Sequence, residues 1–348
     1  MPAVLHSVRV APTLSDLYRY PVKSCRGERL TAGRVEPWGL AGDRRWMIVD
    51  ADGGPVTMRE YPRLVLVTPR LNGDGIRLAR PAAPDLAVPV PLGDELVPVN
   101  VSGNELAAAP AGATAHDWFS EVVGKPVRLV YLDDPARRRP NPAYSRDGDR
   151  VSFADAYPLL LTSEGSLAKL NELIAAGPRA GEGPLPMRRF RPSVVVAGPA
   201  AWAEDRWRLL RIGGVVFRAV KGCDRCVLTT VDPDTAAKGK EPIATLAKYR
   251  RWDGKTWFGV NLIPGLATAR RHHPDRRPGR DPGAGRHRRP APLSLPAQPD
   301  RAMVEGDGAR PGAQPGSPAR SPAREPSTAP TRPAGRGSAA GDLRSGSE

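Results

Sequence analysis

The run Lys221-Gly-Cys-Asp-Arg-Cys-Val-Leu-Thr-Thr-Val-Asp-Pro-Asp-Thr235 holds two of the chain's three cysteines in a C-x-x-C spacing. That spacing admits three kinds of chemistry: half of a zinc site, a dithiol redox pair, or one ligating thiolate beside a bystander. Zinc needs four ligands; Cys25 is the one remaining cysteine, and His272, His273 and His287 lie in a C-terminal region that reads as unfolded. A dithiol pair is best served by a helix beginning at its first cysteine, whereas the β-branched run 227–231 follows this pair. A single ligating thiolate fits best, with Arg225 beside Cys226 favouring the charged form of the sulfur. The competing reading of both cysteines is burial as small hydrophobes, the ordinary fate of free cysteine.

Positioning such a thiolate requires a folded frame, and 348 residues suffice for two domains. The chain carries 52 Lys and Arg against 37 Asp and Glu, a net charge of +15, which alone would suggest nucleic acid or an acidic surface. The charge is uneven. Residues 267–348 contain 15 Arg, no Lys and 8 acids, with 14 Pro, 11 Gly and no aromatic residue. Such a segment buries too little apolar surface to offset its chain entropy and is expected to be disordered. The abrupt loss of Lys suggests out-of-frame translation of a GC-rich gene, or else a natural extension. Specific nucleic-acid binding is not expected, because the Arg residues are not interleaved with aromatics. No run approaches the roughly 18 apolar residues of a membrane span, and the start lacks a signal-type apolar stretch. A cytoplasmic location without membrane contact is expected.

Up to about residue 101, short β-type runs at 17–22, 45–49, 64–67, 76–78 and 86–90 are punctuated by turn sequences at Asp52-Gly53-Gly54 and Asn72-Gly73-Asp74-Gly75. A stretch at 107–115 leads into a helix at 117–123, and strands resume at 127–131. Thr162 or Ser163 caps a helix with Leu167, Leu170, Leu173 and Ile174 on one face. Further strands are expected at 194–196, 208–212, 215–220 and 227–231. The pattern is α+β and β-rich, in three segments: 8–124, 125–266 and the tail 267–348.

Several longer words point the same way. Tyr20-Pro-Val-Lys-Ser-Cys-Arg-Gly27, Gly42-Asp-Arg-Arg-Trp46, Arg59-Glu-Tyr-Pro-Arg-Leu64, Phe190-Arg-Pro192 and C-x-R-C-x-L-T-T-V-D-P-D-T together resemble the MOSC proteins, in particular the amidoxime-reducing components and their bacterial relatives. The resemblance covers residues 14–264. It implies an N-terminal MOSC β-barrel-type domain, a barrel-like MOSC domain and a molybdenum cofactor (Mo-molybdopterin) between them. It makes Cys226 the metal ligand and catalytic centre and gives Cys223 no such role. It sets Lys23, Ser24, Arg44, Thr162, Ser163, Arg191, Ser193 and Arg225 as cofactor contacts. A dianionic phosphate suits converging Lys and Arg donors, and free N–H groups at a helix start suit an anion, although singly such residues are more often solvated charges or a helix cap.

Four departures from the family pattern bear on these expectations. Ser193 stands in place of Asn, Asp224 in place of a frequent Ser, and Ala236 in place of Gly. After Pro264 the closing strand is replaced by Gly265-Leu-Ala-Thr-Ala-Arg-Arg271, which predicts an open barrel edge. The resemblance implies reduction of small N-hydroxylated compounds by N–O cleavage at molybdenum. No cysteine follows Cys226 to build the iron–sulfur module of some bacterial relatives. Electrons are therefore expected from a separate donor protein, a ferredoxin-like or haem/flavin reductase system. The alternative is a cofactor carrier or sulfur-transfer protein. Pyridoxal phosphate binding comes with the resemblance as a family term, but no pyridoxal-phosphate domain is present, which favours carriage over sulfur mobilisation.

Overall fold

The computed structural model describes residues 11–93 and 95–265 and, as backbone alone, Pro292–Ser294 and Val304–Gly306. The largest sheet runs in the order Val304–Gly306, Leu209–Ile212, Val215–Asp224, Lys255–Pro264, Leu159–Ser163, Val194–Ala197, Thr13–Arg19 and Glu28–Leu30, with Arg251–Trp252 paired to the start of Lys255–Pro264. Leu159–Ser163 and Val194–Ala197 form its parallel pair, and a parallel pair needs a crossover. Helix α1 (Ala113–Val123) belongs to the N-terminal half; α2 (Glu164–Ala175) supplies the crossover. Both strands of the pair are buried along their whole length, apolar throughout in Val194–Ala197 and up to Leu161 in Leu159–Ser163, as strands covered by a helix are. Leu14, Leu17, Leu161, Val196, Phe217 and Leu262 form the core of this sheet.

In the N-terminal half, Trp46–Val49, Arg128–Tyr131, Asn104–Pro110 and Val97–Val101 form a four-stranded sheet beside the Thr68–Asn72, Gly75–Ala79, Leu86–Pro89 meander. The helix α1 buries Ala115, Trp118 and Phe119 in the core they enclose. Strand pairing crosses residue 124 in both directions. Thr13–Arg19 joins the large sheet against Val194–Ala197, and Arg128–Tyr131 pairs back with Trp46–Val49. This interlacing matters for the site, because the register Leu17↔Val194 runs Tyr18, Arg19 and Tyr20 alongside Ser193, Pro192 and Arg191.

The expected strands at 76–78, 86–90, 194–196 and 208–212, both turns and the α2 helix are present to within a few residues. Two β-type runs fold otherwise. Pro62, which lacks a donor and fixes φ, opens a 3-10 turn over Pro62–Leu66, so the strand begins at Thr68. Val227–Thr230 is also a 3-10 turn: the Thr229 and Thr230 hydroxyls donate to the Cys226 and Val227 carbonyls at 3.0 and 2.8 Å, satisfying locally what a strand would pair outward. The stretch at 107–115, read as a leader to α1, begins inside the strand Asn104–Pro110. Sequence reasoning missed α3 (Ile243–Tyr249) and the strand Lys255–Pro264. The open edge expected from the residues after Pro264 falls largely outside the described residues. The strand Lys255–Pro264 lies inside the sheet between Val215–Asp224 and Leu159–Ser163, and the sheet ends at Val304–Gly306 on one side and Glu28–Leu30 on the other. Pro292–Ser294 pairs with Ala32–Arg34; the expected disorder of 267–348 otherwise falls outside the described residues.

Candidate functional site

Tyr20 is the centre around which the expected basic residues gather. It follows the Thr13–Arg19 strand; its amide donates to Asp43 Oδ1 at 2.7 Å and its hydroxyl to the Pro192 carbonyl at 3.1 Å. The Arg44 and Arg191 guanidinium carbons lie 4.4 and 4.3 Å from its ring centroid, so one buried ring carries two cations. Burial pushes the Tyr20 phenol up, keeping it neutral. A Cβ on Gly27 would fall 2.3 Å from the Tyr20 ring, so this close approach requires glycine.

Arg44 donates to Asp43 Oδ2 at 2.5 Å, to the Arg191 carbonyl at 3.4 Å and to Ser193 Oγ at 3.5 Å. The last contact is long, as a serine in place of a longer amide would make it. Arg191 donates to the Cys25 carbonyl at 2.6 Å. Ser24, Arg44 and Arg191 have φ of 70, 47 and 53°, the left-handed region that costs a non-glycine residue about 1–3 kcal/mol. Strain at three of the expected cofactor residues marks the cradle as a place where side-chain direction outranks backbone comfort.

Lys23 is 7% exposed and donates to the Phe153 carbonyl at 2.9 Å and to Asp155. Burial pulls its ammonium below the ordinary value, against Asp155, while Lys23 holds the Asp155 carboxyl far below the usual carboxylate range. Beneath them Arg138, 2% exposed, donates to the carbonyls of Ser152, Ala154 and Asp155, and burial pulls it down to about 10. Asp155 and Arg138 belong to no word the sequence singled out; a loop between distant elements brings them in.

The cysteines occupy three environments. Cys25 is buried, its thiol pushed up to about 12 by that burial. Cys223 is partly buried, and Arg225 Nη1 donates to its sulfur at 2.8 Å while Nη2 donates to the Phe190 carbonyl at 2.8 Å. Cys226 is exposed at the start of the 3-10 turn. Arg225 thus turns toward Cys223, a correction to the reading in which it favours the Cys226 thiolate. Its main chain is bonded both ways to Thr256, which ties the cysteine loop to the sheet, and Phe190 links it to Arg191. Asp224 points instead to Lys221 and Lys255, at 3.5 and 3.4 Å.

The Asp-Pro-Asp-Thr word acquires a positioning role. Asp232 accepts from the Asp234 and Thr235 amides at 2.9 Å each and pairs with Arg189 at 2.9 Å, and Asp234 pairs with Arg188 and Arg26 at 2.9 and 3.2 Å. These pairs bolt the loop after Cys226 to the turn that presents Arg191.

Thr162 and Ser163 lie elsewhere in the network. Both are fully buried. Thr162 donates to Met187 Sδ at 3.2 Å. Ser163 caps α2, accepting from the Ser166 amide at 3.1 Å, and its hydroxyl reaches Glu204 Oε2 at 3.1 Å while Ser166 donates to Glu204 Oε1 at 2.6 Å. The helix start expected to await an anion already holds this chain's own carboxylate.

Among the described residues, no group of three or more His, Cys, Asp or Glu side chains is arranged to hold a metal ion. No helix among them is long and apolar enough to cross a membrane.

The chain matches the MOSC N-terminal beta barrel domain over residues 11–126 and the MOSC domain over residues 148–273. It is therefore a two-part MOSC protein, built on the interlaced sheets described above. It is 35% identical over 252 residues to mitochondrial amidoxime-reducing component 1 of Homo sapiens, a match covering 69% of this chain and 73% of that protein. It is 34% identical over 252 residues to mitochondrial amidoxime reducing component 2 of Bos taurus, with the same coverage. It is also 31% identical over 264 residues to a molybdenum cofactor sulfurase of Oryza sativa subsp. japonica, covering 72% of this chain and 32% of that protein. The chain belongs to the MOSC family of the amidoxime-reducing components.

Proposed function

We propose that the chain is a molybdenum-cofactor-dependent reductase of small N-hydroxylated compounds. The observation that carries this reading is the charge imbalance of the cradle. Lys23, Arg44, Arg138, Arg191 and Arg225 face two carboxylates, Asp43 and Asp155; Arg138 and Arg191 donate to main-chain carbonyls, and the Nε atoms of Arg138 and Arg225 are buried without a partner. Uncompensated buried cations are costly, so this donor set fits a dianionic pterin phosphate. The absence of a protein cage for a metal among the described residues fits a metal that arrives with most of its ligands on an organic group, leaving one thiolate for the chain to supply.

In this reading Cys226 provides that thiolate from an exposed position, and Lys23, Ser24, Arg44, Arg191, Ser193 and Arg225 hold and orient the anionic part. When bound, the cofactor supplies a two-electron metal centre at which an N–O bond is reduced and water released. Asp155, kept ionised by Lys23, tempers the positive field and does not serve as a proton donor. Two electrons come from a separate protein. Thr162 and Ser163 act through the fold. The sulfurase relative favours a second reading, a cofactor carrier, which predicts the same cofactor without turnover.

Metal analysis and pterin fluorescence on the purified protein, with benzamidoxime reduction driven by a chemical reductant, test the proposal. One molybdenum and one pterin per chain with turnover are expected; cofactor without turnover supports carriage, and neither overturns both. Cys226→Ser is expected to lose molybdenum and activity, and Cys223→Ser to keep most of both. Equal loss with reversible disulfide formation would point to a dithiol pair.

A further inference from the structure

The exposed aromatic residues are not scattered. Tyr144, Tyr249 and Trp252, 45, 48 and 45% exposed, are the exposed aromatics among the described residues, and with Val227, 60% exposed, they sit on neighbouring elements. Their connections establish this. Trp252 stacks on Trp257 with centroids 5.5 Å apart and planes at 16°, and the Trp257 indole N–H donates to the Trp252 carbonyl at 3.0 Å. Lys221 lies 5.6 Å from the Trp257 ring and 5.4 Å from the Tyr144 ring. Tyr249 ends α3, which packs against the 3-10 turn carrying Val227. That turn starts at Cys226, and Thr256, one residue from Trp257, is bonded both ways to Arg225. The exposed aromatics therefore sit on elements joined to the loop that carries the exposed Cys226.

The charge around them is positive. Lys221, Lys248, Arg250, Arg251 and Lys255 stand against Asp205, Asp224 and Asp253. Asp205 is taken up by Arg250 at 2.6 Å, and Asp224 is shared by Lys221 and Lys255. Lys248 lies 5.0 Å from the Tyr249 ring, and Arg251 is exposed beside Trp252. Flat aromatics at low entropic cost, beside a net excess of cations, are the composition of a docking patch for an acidic protein.

We infer that the face formed by Tyr144, Val227, Tyr249, Trp252, Lys248 and Arg251 docks an acidic electron-carrier protein next to Cys226. The inference rests on the reductase reading for its electrons, but the docking itself is measurable without turnover. An aromatic and basic surface also suits single-stranded nucleic acid. The protein partner is favoured because the patch borders the redox site and because its aromatics are few and partly propped on one another, not laid out along a groove.

The probe is a small acidic [2Fe–2S] ferredoxin, titrated into the full-length protein by calorimetry at several salt concentrations. Binding that weakens with salt is expected. The double charge reversal Lys248→Glu with Arg251→Glu, and separately Trp252→Ala, should each weaken it at least tenfold while leaving turnover driven by reduced methyl viologen unchanged. The Arg-rich 267–348 segment is intact in both variants, so unaltered binding would assign the ferredoxin to that segment and overturn the inference. Absence of binding by the unmodified chain, or its displacement by oligo-dT, would overturn it too. Loss of viologen-driven turnover in the unmodified chain would instead strike the reductase reading and leave the docking measurement standing.

Discussion

The start of α2 and the cluster around Tyr20 both gather hydrogen-bond donors, and they differ in the acceptors that the chain itself provides. At α2 the Ser163 and Ser166 hydroxyls converge on Glu204, a carboxylate of the same chain that is fully buried. Around Tyr20 the cations Arg44 and Arg191 reach carbonyls, a long serine contact and one adjacent carboxylate. A helix start satisfied from within is a structural joint. A cluster of cations held in left-handed backbone and short of carboxylates is what the proposed cofactor site requires. Ser163 and Arg191 looked equivalent as cofactor contacts in the sequence; what separates them is whether the chain completes its own circuit.

The largest effects should fall on the cradle. Arg44→Ala and Arg191→Ala each remove a charge-assisted interaction of about 1.5–3 kcal/mol with an anionic ligand, equivalent to about a 10- to 100-fold loss of cofactor affinity. Molybdenum and pterin per chain should fall in both variants with little change in circular dichroism. If occupancy is unchanged in both, the cradle is a structural cluster like α2 and the distinction fails. Glu204→Ala should do the reverse. Leaving buried hydroxyls without their acceptor costs about 1–3 kcal/mol, so the melting temperature should drop while molybdenum per folded chain stays at the wild-type level.

A pH experiment sharpens the difference. Burial raises the Glu204 carboxyl above its ordinary value, so the folded state holds this proton more tightly than the unfolded chain does. Its contribution to stability is complete below the unfolded value, about 4.3, and is lost as pH rises through the folded value. Glu204→Gln holds a neutral group throughout. The melting temperature of the variant should gain on that of the parent as pH rises from 4 to 8. A parallel pair of curves would show that Glu204 does not titrate differently on folding.

Legibility followed the range of the interactions. Helix α2 could be read because its cap, acidic first turn and Leu170/Ile174 face are local. The basic words could be read because they are contiguous. The partners of those words could not: Asp155 reaches Lys23 across 132 residues, Arg225 reaches Phe190 across 35, and the meeting of Tyr20 with Pro192 depends on a strand crossing from one half of the chain into the other. The run at 227–231 misled because β-branched composition carries no information on whether a neighbouring strand is available. Sequence could not show that the hydroxyls at the start of α2 meet Glu204, which lies 38 to 41 residues away.

The smallest effect separates strain that positions the site from strain that does not. Ala236, where the family has glycine, adopts φ of 62°, the same left-handed region as Arg191, but its side chain has no charge to aim. Its amide donates to the Asp232 carbonyl at 3.0 Å, closing the loop whose carboxylates hold Arg188 and Arg189. Ala236→Gly should relieve the Cβ clash of about 1–2 kcal/mol and give back about 0.5–1 kcal/mol in chain entropy. The net gain is under about 1.5 kcal/mol, a rise of a few degrees in melting temperature, with molybdenum content unchanged. Arg191→Gly relieves the same backbone strain and should lose the cofactor as Arg191→Ala does. If Ala236→Gly instead lowers molybdenum content, the loop's rigidity belongs to the site, and the boundary between cradle and scaffold must be drawn further out, beyond the Asp232 and Asp234 ion pairs.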